Sequence, residues 1–316
     1  MSNPGTDNRR PVSIAAFRID HYHRRAVRFT SNHIVGAIFR VISMADNRQP
    51  TTDNRQPTIL VRLEPPIGWV IVNRPEARNA LNRPMWMRMA EGVRELAGND
   101  AVRVLIITGA GDSSFIAGAD ISELRAQLDG ENIGDEGVRE SLLGLQAITD
   151  TPKPVIAMIN GHCFGGGVLI ALTCDLRFAA ESADFGITAA KLGLAYPLHQ
   201  GILRLIQTVG PANAADLLFS GRVFDAAEAQ RMGLVNRVCP LQLLEEQTRA
   251  YALMLAQAAP LSIAAHKLAI QQALHLLSDQ DWTRAESAAR ACFQSEDYRE
   301  GLSAFFEKRP PLFTGR

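Results

Sequence analysis

Two apolar, β-branched runs, residues 102–108 and 155–159, each end directly in a glycine turn, Gly109-Ala110-Gly111 and Asn160-Gly161. Such runs do not alternate polar with apolar, so both faces of the strands they predict must be covered. Covering both faces of a sheet takes helices, and the intervening sequence supplies them. Residues 59–63 and 69–72 read as further strands. Residues 84–97 read as a helix, capped by Asn82 and opened by Pro84 in its first turn. After Gly210 the chain turns helical over 211–219, 226–232, 240–259 and 261–277, all rich in good helix formers. Strand–helix alternation followed by helices predicts an α/β core over residues 59–210 and an α-helical region over 211–316.

Residues 1–58 do not share this pattern. The first 43 carry Arg9, Arg10, Arg18, Arg24, Arg25, Arg28 and Arg40 against Asp7 and Asp20, which suits either a targeting arm or an upstream extension with the start at Met44. A polar tandem repeat follows, Asp46 to Thr51 and again Asp53 to Thr58, with a proline in each copy. It has no apolar face to bury, so the whole stretch is expected to be a disordered leader.

Composition excludes several function classes. Lysine plus arginine and aspartate plus glutamate both total 33, so no net charge draws the chain to nucleic acid or to anionic lipid. The longest apolar runs are far too short to span a bilayer. Cys163, Cys174, Cys239 and Cys292 form no C-x-x-C pair and fit a reducing, cytoplasmic setting. The histidines are not spaced as ligands with cysteines or carboxylates, apart from His21 and His23 in the leader, so no metal is expected.

Chemistry is expected in two glycine-bearing loops, 113–121 after the first buried strand and 160–168 after the second. Their small residues let a ligand approach the main chain. In the second, Gly165-Gly166-Gly167 leads straight into an apolar helix, 168–173, whose first N–H groups point outward at the positive end of the helix dipole. Two such N–H groups converging on one point would make an oxyanion hole. The spacing matches neither the dinucleotide fingerprint nor the P-loop, and the glycine triplet alone is equally compatible with a tight turn. Asp120 and Glu123 read as solvated or capping residues at a helix start.

These segments resemble the crotonase superfamily, the enoyl-CoA hydratase/isomerase family. The resemblance is carried by residues 72–81, by 106–111 with 115–120, and by 153–161 through Gly167 and 174–178. It continues through 185–187, 191–194, 209–211, 221–222 and 233–236 to 306–311 and 313–316, in order and nearly without gaps. It implies a ββα spiral core with a C-terminal α-helical trimerisation domain. It also implies that the amides of Ala119 and Gly166 hold a thioester oxygen. Main chain at Ala80 and Ala117 would meet the adenine end of coenzyme A, with Arg78 near the nucleotide and Asp120 and Ile121 close by. Phe305 and Lys308 would lie near the coenzyme A of a neighbouring subunit. The implied partners are an acyl-CoA substrate and further copies of the chain, as a homotrimer or dimer of trimers. No cofactor is implied beyond the coenzyme A moiety itself, and neither nucleic acid nor membrane.

The sequence departs from the family where its hydratases carry two glutamates: Leu169 and Ala189 stand at those positions. Neither can move a proton, and hydration needs both a base for water and an acid for the α-carbon. The loop beyond, 195–201, is also altered. Its Tyr196 resembles a tyrosine of methylmalonyl-CoA decarboxylases of this superfamily. Tyr196, His199 and His162 are candidate proton carriers; equally, Tyr196 could line the acyl pocket and the histidines be surface residues. The readings left open are a hydratase or isomerase working by enolate stabilisation, a malonyl-type decarboxylase, a thioester hydrolase, and a non-catalytic coenzyme A-binding protein. RNA binding would need a basic stripe that the body lacks. A serine peptidase would need a serine where Val168 follows the glycines.

Overall fold

The computed structural model describes residues 57–120, 123, 134–192, 196, 198–274 and 281–316. The leader lies, but for its last two residues, outside the described residues. Two sheets organise the rest. The larger runs in the order β1 (Ile59–Glu64), β2 (Ile67–Val72), β3 (Val104–Gly109), β5 (Val155–Ile159), β7 (Leu176–Ala180), β10 (Arg237–Cys239). The smaller runs β4 (Ser114–Ile116), β6 (His162–Phe164), β8 (Asp184–Gly186), β9 (Val223–Asp225). From β2 to β10 the large sheet is parallel, and β1 pairs antiparallel with β2.

The two β-branched runs are the middle of that sheet. Every residue of β3 and of β5 is buried, as their unbroken apolar character requires. After β3 the chain crosses to β4 and then enters α2 (Gly134–Asp150); after β5 it crosses to β6 and enters α3 (Gly166–Thr173). The repeated step of strand, strand and helix makes the ββα spiral, with β4, β6 and β8 parallel to one another. The crossings from β3 to β4 and from β5 to β6 are made by glycine turns, 109–111 and 160–161, and the pairing of β4 with β6 stacks the loops that follow side by side. On one flank lies α1 (Arg83–Ala97), capped by Asn82, whose side chain accepts from the Met85 N–H at 3.2 Å.

The C-terminal part is less uniformly helical than its sequence suggests. It contains α4 (Arg204–Ser220), α5 (Ala226–Arg231), α6 (Leu241–Ala256), α7 (Pro260–Ala273), α8 (Asp281–Gln294) and α9 (Glu296–Glu307). Yet β9 and β10 return from it to edge both sheets. These strands are three residues each, too short for a period of two to show. Within α4, Gly210 breaks the helix and Pro211 opens its second piece. Among the described residues no single helix is long and apolar enough to cross a membrane; α6 and α7 reach that length only as a pair bent by 106°.

A buried ion pair ties α7 to the core. Lys267, 8% exposed, places Nζ 2.9 Å from Asp175 Oδ2 and 3.1 Å from the Lys153 carbonyl. The same carboxylate oxygen accepts from the Val155 N–H at 2.8 Å, at the first residue of β5.

Candidate active site

Buried amides tie the two loops together. Asn160 donates through Nδ2 to the Gly109 carbonyl at 2.9 Å and to that of Gly111. The His162 N–H reaches the Ser113 carbonyl at 3.0 Å. A third segment, the turn before α1, braces the first loop. Its Asn79 is fully buried and donates to the carbonyls of Ala110 at 3.0 Å and Ser114 at 2.8 Å, while its Oδ1 accepts from the Arg74 N–H at 2.9 Å. The Arg78 carbonyl accepts from the Ala117 N–H at 3.1 Å. Leu81 donates to the Gly118 carbonyl at 2.8 Å and accepts from the Asp120 N–H at 2.9 Å. Carbonyl 118 and amide 120 thus face Leu81, and the intervening Ala119 N–H faces the other way.

The first loop meets the second at Gly118. Its φ of +105° is one that residues with a Cβ rarely adopt, and a Cβ there would lie 3.3 Å from the Phe164 carbonyl oxygen and 3.7 Å from the Gly166 nitrogen. The main chain at 118 and at 165–166 is therefore in direct contact. Gly167 is required by proximity alone, since a Cβ would fall 2.1 Å from the Ile116 carbonyl oxygen. Helix α3 begins at Gly166 with no side-chain cap, and a helix leaves its first-turn N–H groups without internal partners. Among the described residues, neither the Ala119 nor the Gly166 N–H donates to a main-chain carbonyl. At the other end of α3, the buried Arg177 guanidinium donates to the carbonyls of Ala171 at 3.1 Å, Cys174 at 2.7 Å and Leu234 at 2.7 Å. Burial lowers its pKa from the usual arginine value.

Apolar side chains wall the start of α3. Leu169 is 5% exposed, Tyr196 9% and Trp86 8%. The Trp86 ring, from α1, comes within 3.5 Å of where a Cβ on Gly166 would be. Tyr196 donates its hydroxyl to the Gly165 carbonyl at 2.8 Å, and burial raises its pKa well above 10.

Residues 64–316 match the family model described as Enoyl-CoA hydratase/isomerase. The chain belongs to that family. It is 36% identical over 261 residues to a crotonyl-CoA hydratase of Syntrophomonas wolfei, a match covering 82% of this chain and 98% of the relative. It is 38% identical to a carnitinyl-CoA dehydratase of Citrobacter koseri, over 79% of this chain and 96% of that one. Among solved structures, an enoyl-CoA hydratase/isomerase family protein from Hyphomonas neptunium superposes with a TM-score of 0.77 at 38% identity, over 82% of this chain and 98% of that one. An enoyl-CoA hydratase from Bacillus anthracis gives 0.74 at 32% identity, over 82% and 100%.

The positions that the family resemblance singles out can now be placed. Leu169 lies in the first turn of α3 and touches the space beneath Gly201. Ala189 opens a 3₁₀ turn, Ala189–Leu192, and packs half-buried on the core. Ala80 is buried, Arg78 and Ala117 are half-buried, and Ala119 is exposed, so the loop opens to solvent at the residue whose amide is in question. Asp120, against the expectation of a solvated residue, is 6% exposed and pairs with Arg74. The salt bridge is what lets a carboxylate sit there. Glu123 accepts from the Arg83 N–H at 2.8 Å, a capping role at the start of α1. His162 pairs through Nδ1 with Asp184, each side chain about one-third exposed (39% and 32%). On β6 its side chain and that of the buried Cys163 point to opposite faces. His199 falls in a π-helical turn, Leu198–Leu203. Phe305 lies in α9, and Lys308 follows it, exposed and with φ of 55°. Ile121 lies outside the described residues.

Asn79, Arg74 and Trp86 carry no signal in the sequence of a place in the site. Asn79 and Asn160 each sit beside a turn as ordinary turn formers do, and only their burial distinguishes them. Trp86 reads as one more apolar residue of an amphipathic helix. Among the described residues no group of three or more histidines, cysteines and carboxylates could hold a metal ion.

Proposed function

We propose that the protein processes an acyl-CoA thioester, holding its carbonyl oxygen between the N–H groups of Ala119 and Gly166 while that oxygen becomes negative. The reading is supported by the contact of the main chain at 118 with that at 165–166, which puts two uncommitted amides on adjacent loops. Main-chain dipoles fixed by packing need not reorganise as charge develops, and one such donor is worth about 10²–10³ in rate. The names of the relatives, a crotonyl-CoA hydratase and a carnitinyl-CoA dehydratase, support the same substrate class. Ala80, Ala117 and Arg78, with Asp120 and Ile121, would receive the nucleotide end of coenzyme A. Phe305 and Lys308 would serve the site of a neighbouring subunit in a homotrimer or dimer of trimers. Exposed apolar residues on the helices, Phe293, Tyr298, Leu302 and Ile270, favour such self-association.

The reaction is one that reaches a thioester enolate without a carboxylate at 169 or 189. Hydration and isomerisation, usual in the family, would need a proton carrier elsewhere. Loss of CO₂ from a malonyl-type acyl-CoA is the second reading, favoured by the apolar wall of Leu169 and Trp86. There the electron pair of the breaking C–C bond becomes the enolate, CO₂ departs, and a proton from solvent completes the product; a desolvated carboxylate loses CO₂ more readily. Purified protein offered crotonyl-CoA and methylmalonyl-CoA separates the two. Loss of the enoyl thioester absorbance identifies hydration, and released CO₂ identifies decarboxylation. Failure to bind or turn over any acyl-CoA would sink the proposal.

A further inference from the structure

Tyr196 touches the site through the main chain. Its hydroxyl lies 2.8 Å from the Gly165 carbonyl oxygen, and that carbonyl shares one peptide unit with the Gly166 N–H. In a trans peptide the C=O and N–H point in opposite directions. Whatever fixes the carbonyl therefore aims the amide. The Gly165 carbonyl also accepts from the Leu169 N–H at 3.1 Å, and the Gly165 N–H is held by the Gly186 carbonyl at 2.9 Å. Gly165 itself has φ 47° and ψ −108°, a conformation open to glycine but rarely adopted by residues with a Cβ. We infer that Tyr196 is a positioning residue for the oxyanion hole: its hydroxyl fixes and polarises the 165–166 peptide, so that the Gly166 N–H is both aimed and strengthened.

The chemistry of the contact supports more than a structural tie. A donor on an amide oxygen draws electron density from nitrogen toward oxygen and makes the N–H a better donor. Each bond in such a chain strengthens the next by about 10–30% in the condensed phase. A buried phenol suits the task because its raised pKa keeps the proton in place across the working range. The ring is seated closely: a Cβ on Gly201 would fall 2.6 Å from Tyr196 Cδ1. With its single hydrogen engaged by a main-chain carbonyl, the phenol has no free proton to deliver to an α-carbon. The inference rests on the oxyanion reading above, which wild-type protein tests by itself.

The experiment is isotope-edited infrared spectroscopy of bound butyryl-CoA carrying ¹³C at the thioester carbonyl, a saturated ligand inert to hydration. In the wild-type protein the carbonyl stretch should shift down on binding. Wild-type protein that binds butyryl-CoA without any shift would overturn the oxyanion reading and this inference with it. Tyr196→Phe keeps the ring and leaves the Gly165 carbonyl its Leu169 donor, so the fold should survive, as a melting curve will report. This variant should lose part of the downshift, and its kcat on the substrate found above should fall about tenfold with KM nearly unchanged. Replacing Tyr196 by 3-fluorotyrosine, a more acidic phenol of nearly the same shape, should move the stretch further down. An unmoved stretch in Tyr196→Phe overturns the inference whatever happens to the rate. If activity vanishes while the stretch stays put, Tyr196 is a proton carrier instead.

Discussion

Gly118→Ala is the sharpest probe of the contact between the two loops. The substitution adds a single methyl group, and its cost can be divided. Holding alanine at φ +105° costs about 1–3 kcal/mol of stability, as for other residues kept in sparsely populated regions. In a chain of this size that should lower Tm by roughly 5 °C. The new methyl also stands 3.3 Å from the Phe164 carbonyl oxygen and 3.7 Å from the Gly166 nitrogen, inside the seam. Relief by a few tenths of an ångström opens the seam and shifts the Gly166 amide, whereas oxyanion donors act over a narrow range near 3 Å. Turnover of the acyl-CoA substrate should therefore fall about a hundredfold, the scale for losing one donor. Gly233→Ala supplies the control. It sits in the turn after α5 with φ +82°, and its Cβ would likewise lie 3.3 Å from a carbonyl oxygen, that of Thr208. It should lower Tm comparably and leave kcat intact. Steady-state kinetics and thermal melts on both variants decide. A Gly118→Ala protein with lowered Tm and wild-type kcat refutes the reasoning, and so does equal loss of kcat in both.

Other outcomes follow from the same contacts. Asn79→Ala strands the carbonyls that its amide now satisfies and should cost about 2–3 kcal/mol in urea unfolding; an unchanged midpoint would mean that water replaces the amide. Lys267→Met leaves Asp175 without its buried counter-charge and should cost about 3 kcal/mol by the same measurement, a loss absent if the carboxylate simply turns to solvent. Burial pushes the Cys174 thiol up to about 12 from 9.0, so above pH 9 the unfolded chain releases a proton that the folded one keeps. Stability should then decline between pH 9 and about pH 12, by about 1.4 kcal/mol per pH unit for this thiol. Cys174→Ala should flatten the slope, and an unaltered slope counts against the assignment. At the acid end, the hydrogen bonds from Arg309 and then from the Leu312 N–H hold the Glu300 carboxyl down to about 2 from 4.5. That contribution is complete above pH 4.5 and vanishes as pH falls toward 2. Lower protection of the Leu312 amide, taken relative to its intrinsic exchange rate, as pH approaches 2 is the expected sign; unchanged protection would refute it.

The parts of the fold legible in the sequence are those where one period runs over many residues. The β3 and β5 runs announce buried parallel strands, and the helix capped by Asn82 begins where its cap and proline place it. The glycine loops are legible as loops because Gly109, Gly161 and the triplet break those runs. What the sequence conceals is nonlocal. Nothing in the three residues of β9 or of β10 says that they close two sheets. Asp120 reads as a solvated or capping residue, and the ion pair that buries it comes from Arg74, 46 positions earlier. Tyr196 reads as a proton carrier or a pocket wall because the family offers those roles, while its contact with Gly165 spans 31 positions. His162 is a candidate by adjacency to the glycines, and its ion-pair partner Asp184, 22 positions on, is equally invisible in the sequence.

Helix α3 is eight residues long, well below the length at which an isolated helix persists in water. It endures because residues 167–173 are all buried and both its ends are moored: the Gly165 carbonyl to a phenol at the start, and the last carbonyls to the Arg177 guanidinium at the finish. Its ordering entropy is accordingly met once, when the chain folds, and never again at each catalytic cycle. An arriving thioester would dock onto a rigid platform, and the loss of rate on cutting either mooring should grow with temperature as the short helix begins to fray.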